Sequence, residues 1–105
     1  MSGYFSSWAA AHRVPWNMCG SQVLPGLLGC LEHVDLGALI APRALLVETG
    51  TEDPIFPVAA ARDAIATLAR VYDTLGARGR LVHDVFEAGH RWHGEEAYPF
   101  LEREL

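Results

Sequence analysis

Between Ala44 and Glu87 the chain runs from a short apolar stretch, through a long amphipathic one, to a second short apolar stretch, and few architectures accept that order. Ala44-Leu45-Leu46-Val47-Glu48-Thr49 is almost continuously apolar and stops at Gly50, the pattern of a strand covered on both faces in a parallel sheet. Pro57 suits a first helical position, and Val58, Ala61, Ile65, Leu68, Tyr72 and Leu75 then recur at three- and four-residue steps up to Gly76. This spacing predicts an amphipathic helix with a glycine stop. Leu81 to Glu87, bounded by Gly79 and Gly89, reads as a second strand. A closing helix is expected from about Glu95, burying Ala97, Leu101 and Leu105 along one stripe. Strand, helix, strand, helix is the unit of an α/β fold, an open parallel sheet with helices on its faces.

The remainder is less regular. Gly20, Pro25, Gly26, Gly29 and Gly37 interrupt the stretch from Pro15 to Pro42, which favours loops and short turns. The best short helix there is Asp35 to Ile40, with Asp35 as N-cap and Pro42 soon after its end. The opening residues, Met1 to Trp8, look like an element entered near its end, because no strand of normal length precedes them.

Bulk properties narrow the partners. The 105 residues suit one small domain or a piece of a larger one, and half of them are hydrophobic. Thirteen acidic residues outweigh eight scattered basic ones, for a net charge of −5, so nucleic acid is not an expected partner. No apolar run approaches the roughly 18 residues of a membrane span, and the start lacks a basic-then-apolar leader. The chain as written reads as cytoplasmic, although a longer parent protein has a secreted form open to it. Cys19 and Cys30 are too far apart for a CxxC site and read as reduced thiols. Glu102-Arg103-Glu104-Leu105 echoes an ER-retention signal by chance, since that address requires a secretory leader.

In open parallel sheets, ligands bind at the carboxyl ends of the strands. The residues just after Gly50 and just after Glu87 should therefore share one functional edge. The first segment carries Glu52 and Asp53 in a loop held by Pro54 and Pro57, and the second carries Gly89-His90. A serine hydroxyl is a weak nucleophile until a histidine takes its proton, and that histidine needs a carboxylate to fix its tautomer and stabilise the imidazolium. Asp53 and His90 offer those last two parts.

The string from Ala41 to Pro57, together with Phe86-Glu87-Ala88-Gly89-His90, resembles the seventh- and eighth-strand region of α/β-hydrolases. It is most similar to their dienelactone-hydrolase-like and acetyl-xylan-esterase-like branch, with Ser2-Gly3-Tyr4-Phe5 matching the end of the sixth strand. The resemblance implies that Asp53 is the triad acid and His90 the triad histidine, in the family's order of nucleophile, acid, histidine. It further implies hydrolysis of a small-molecule carboxylic ester without a cofactor. The nucleophile elbow, Gly-x-Ser-x-Gly or its Cys form, has no counterpart here; Ser21 lacks both flanking glycines. The expectation is thus the C-terminal portion of an α/β-hydrolase fold, with its N-terminal strands and nucleophile elbow missing and little or no activity alone.

Other readings of the same residues stand beside this one. Asp53 before Pro54 also suits an Asx turn, and a loop histidine often serves structure alone. His90 and His93 form His-x-x-His, which suggests a small metal-binding protein, although a structural zinc wants about four ligands. Cys19 as a nucleophile lacks a strand-turn-helix setting. His83 and Asp84 read as sheet or solvent positions, while Trp8, Trp16 and Met18, like Arg91 and Trp92, suit either pocket walls or ordinary packing and surface. A final alternative is a non-catalytic interaction module that pairs, or self-associates, through the sheet edge the absent strands would leave bare.

Overall fold

Leu45–Gly50 forms strand β1 and Leu81–Phe86 forms strand β2 of a parallel pair, within one residue of the expected bounds. The computed structural model describes residues 1–13 and 25–105. Around the pair the described elements are α1 (Trp8–Ala11), α2 (His33–Ala38), the long helix α3 (Val58–Thr74), a 3₁₀ turn (Arg78–Arg80) and α4 (Ala97–Glu104). The described residues form a small α/β domain with a two-strand parallel sheet and flanking helices. Among the described residues, no helix is long and apolar enough to cross a membrane.

All six residues of β1 are buried, as its apolar run requires, whereas β2 mixes buried and half-buried positions. The register matches Leu45 to Leu81 and continues to Gly50 against Phe86, so both strands end at the same level. On the other side of β1, the Glu48 N–H donates to the Met1 carbonyl (2.9 Å) and the Gly3 N–H to the Glu48 carbonyl (3.0 Å). The opening residues therefore run parallel to β1 through a bridge at Ser2, which is the placement expected of a strand's end.

Helix α3 covers one face of the pair. Ile65, Leu68, Ala69 and Tyr72 pack with Phe5, Leu45, Val47 and Leu81, and the Tyr72 hydroxyl donates to the Arg43 carbonyl at 2.8 Å. Its two ends differ in how they are closed. Pro57 is the N-cap rather than the first helical residue, with ψ of 129°. At the far end Gly76 takes φ +65°, its N–H bonds the Asp73 carbonyl, and the Ala77 N–H reaches back to the Tyr72 carbonyl. That pair of bonds is a Schellman closure. Leu75, placed in the apolar stripe by its spacing, sits on this turn and is exposed.

Two further expectations need correction. The short helix starts at His33, not after Asp35: Glu32 is the N-cap, and Asp35 reaches back to accept the Glu32 N–H at 2.7 Å. Asp35 thus belongs to a capping box as its third helical residue, so its capping chemistry was right and its position wrong. Helix α4 begins at Ala97, and of its expected stripe only Ala97 is buried, with Leu101 42% and Leu105 100% exposed. The apolar period of this helix is thus largely uncovered.

His33 is buried against Trp8 and Phe5, and its Nδ1 accepts the Ser6 N–H at 3.0 Å. Burial holds its pKa below the usual 6.5, opposed by Glu32 and assisted by His12. Above pH 6.5 folded and unfolded chains both carry it neutral. As pH falls below 6.5 the unfolded chain gains a proton that the folded one refuses, and stability is lost until the lowered pKa is reached. Between about pH 7.5 and pH 5 the urea midpoint should fall relative to that of His33→Gln, which has no imidazole to protonate on unfolding. An equal drop in both proteins would contradict this role.

Candidate acid–histidine site

The level ends of β1 and β2 put the two following loops side by side. The Thr51 N–H donates to the Phe86 carbonyl (2.9 Å) and the Glu52 N–H to the Ala88 carbonyl (3.0 Å), so the loops continue the ladder of the sheet. Gly50 permits this crossing: a Cβ there would stand 2.4 Å from the Ala88 oxygen and 2.5 Å from the Gly89 oxygen. Both are backbone atoms that cannot rotate aside.

Asp53 and His90 meet at this junction. His90 Nδ1 lies 2.9 Å from Asp53 Oδ2, across 37 residues of chain. The other oxygen, Oδ1, accepts the N–H groups of Ile55 (2.8 Å) and Phe56 (3.1 Å). The Asp53 side chain is fully buried, while that of His90 is 44% exposed. With the carboxylate accepting, Nδ1 carries the proton and Nε2 keeps its lone pair. One oxygen of Asp53 therefore closes an Asx turn while the other faces the imidazole.

Neighbouring residues fix the ring's plane. Phe56 stacks on it at 5.9 Å and 28°. From the other side comes Gly3, at φ +56°, where a Cβ would approach His90 Cε1 to 2.9 Å and Nδ1 to 3.0 Å. Gly3 thus supplies both a left-handed backbone and the space that lets the opening residues lie over the hydrogen bond.

The second histidine of His-x-x-His goes elsewhere. His93 Nδ1 lies 2.7 Å from Asp84 Oδ2, and its ring stacks on Phe86 at 4.3 Å and 10°. Its pKa is raised: the Asp84 hydrogen bond outweighs burial, which lowers it, and the charges of Asp84, Glu95 and Glu48 add to the rise. The two imidazoles thus hold different carboxylates. Glu48, fully buried in β1, joins the His93 group: its Oε1 accepts the Gly94 N–H at 2.6 Å. Among the described residues, ligand-type atoms of Glu48, Asp84 and His93 lie within 4.8 Å of one another, and His90 is outside that group.

The sequence signal for this group is an acid inside each of two strand runs, Glu48 in β1 and Asp84 in β2. His83 is a sheet position, its Nε2 3.0 Å from Thr49 Oγ1, and its pKa is lowered by burial and Arg62 against Asp84. Trp8 packs in the interior, whereas Trp92 is exposed against Tyr98. Cys30 is an exposed free thiol. Trp16, Met18, Cys19 and Ser21 lie outside the described residues. In comparisons with family models, curated proteins and solved structures, the chain matches none.

Proposed function

We propose that this chain supplies the acid and histidine of a serine-type carboxylic ester hydrolase, the reading implied by its resemblance to the dienelactone-hydrolase-like and acetyl-xylan-esterase-like branch of α/β-hydrolases. The observation that carries it is the hydrogen bond between Asp53 and His90 at the carboxyl ends of paired parallel strands. No Gly-x-Ser-x-Gly elbow occurs in these 105 residues, so in this reading the nucleophile is supplied from outside them. His90 Nε2 takes the serine proton as the hydroxyl attacks the ester carbonyl, and returns it to the departing alcohol when the tetrahedral intermediate collapses. Asp53, held by two main-chain N–H groups, keeps Nδ1 protonated and offsets the positive charge that the ring acquires. The half-exposed ring leaves its second nitrogen an approach for a nucleophile.

The 105-residue chain alone should hydrolyse p-nitrophenyl acetate no faster than buffer. The protein expressed with the in-frame sequence before Met1 should hydrolyse it and lose that activity to a serine-directed fluorophosphonate. An extended protein without turnover, or strong turnover by the 105 residues alone, would refute this assignment of parts.

A further inference from the structure

Glu48 and Asp84 are register partners on β1 and β2, so their side chains leave the sheet on the same face. That face is opposite to the one on which Leu45 and Val47 meet α3. Both acids are buried, at 0% and 9% exposure. The chain after His90 turns back over them. Gly94 donates to Glu48 and His93 bonds Asp84, so consecutive residues fasten the loop to both strands at once. On the near side of His90, the Ala88 carbonyl already accepts the Glu52 N–H. His90 therefore stands between two fixed points, with only a few residues free on either side.

We infer that Glu48, Asp84 and His93 form a latch that positions His90, keeping its ring aimed so that Nδ1 meets Asp53. This rests on the function proposed above, since only a reacting histidine needs such an aim. The distances describe hydrogen bonds joining these groups, while Glu48 Oε2 is buried with no partner among the described residues. Two ligands on one tetrahedral zinc, with bonds of about 2.0–2.2 Å, stand roughly 3.3 Å apart. The 2.7 Å between His93 Nδ1 and Asp84 Oδ2 is shorter and suits a charge-assisted hydrogen bond. Glu48 Oε1 is likewise taken by Gly94. Of the three, none touches Asp53 or His90 by a hydrogen bond, so their effect passes through the loop backbone.

The readout is the tautomer of His90 in the ¹⁵N-labelled 105-residue chain, seen by long-range ¹H–¹⁵N correlation at a pH where the ring is neutral. The unsubstituted chain should show one tautomer, protonated at Nδ1. His93→Phe keeps a ring against Phe86 but loses the bond to Asp84, and should collapse the two His90 nitrogen shifts toward an average; Glu48→Leu should do the same. Asp84→Asn keeps an acceptor and should preserve the single tautomer. A fixed tautomer that survives His93→Phe in a folded chain overturns the latch alone. Both tautomers equally populated in the unsubstituted chain would overturn the acid–histidine reading and the latch with it. Should the two disruptive variants fail to fold, a urea titration of the unsubstituted chain decides. Loss of Gly94 amide protection together with the His90 tautomer supports the latch, and loss at separate urea concentrations overturns it.

Discussion

His90→Ala in the nucleophile-bearing protein should lower kcat for a short acyl ester by about 10⁴- to 10⁶-fold while moving KM little. The reason is positional. His90 sits just past β2, beside the end of β1, with Nδ1 committed to Asp53 and its side chain 44% exposed. Removing it takes away the base that activates the hydroxyl and the acid that expels the alcohol, and both steps lie on the path to turnover. Its half-exposed ring is not a core element, so the variant should unfold at nearly the same urea concentration as the parent. Steady-state kinetics with p-nitrophenyl acetate provides the check, and turnover within tenfold of the parent would exclude His90 from the chemistry.

Asp53→Asn should cost about 10⁴-fold in kcat, by a different route. Oδ1 of Asp53 faces two N–H donors, so an asparagine must put its oxygen there to avoid opposing donor to donor. Its amide NH₂ then points at His90 and donates to Nδ1. The ring is forced to carry its proton on Nε2, the nitrogen that must be bare to receive one. The variant thus folds and binds while holding the wrong tautomer. The same correlation spectra should show the proton moved from Nδ1 to Nε2, and an unchanged tautomer with full activity would contradict the argument.

How far these features were visible beforehand depended on the range of the interaction responsible. β1, β2 and α3 were legible because apolar runs and three-to-four spacing act within each segment, and Gly50 and Gly76 mark true stops. The approach of Asp53 to His90 was legible because parallel strands in register bring their following loops together whatever the intervening helix contains. Helix α4 failed differently: its apolar spacing is real, but exposure of Leu101 and Leu105 is decided by what lies opposite. The meeting of Glu48, Asp84 and His93 was hidden because it needs the register between strands and the path of the loop together. Sequence proximity of His90 and His93 pointed instead to a shared metal, whereas the loop sends the two rings to separate carboxylates. The α2 boundary slipped because Glu32 and Asp35 both have capping chemistry, and only the reciprocal bond tells which residue is outside the helix.

The donors that grip Asp53 belong to the main chain at positions 55 and 56, and this bears on how such a site can evolve. Amide groups are common to every residue except proline, so mutation at those positions can change the side chain without disarming the acid. At the second of them, the burial of Phe56 and its packing on the imidazole and on Tyr4 limit drift. Lineages descended from a common ancestor can accordingly diverge widely around this turn while the carboxylate continues to point the same way.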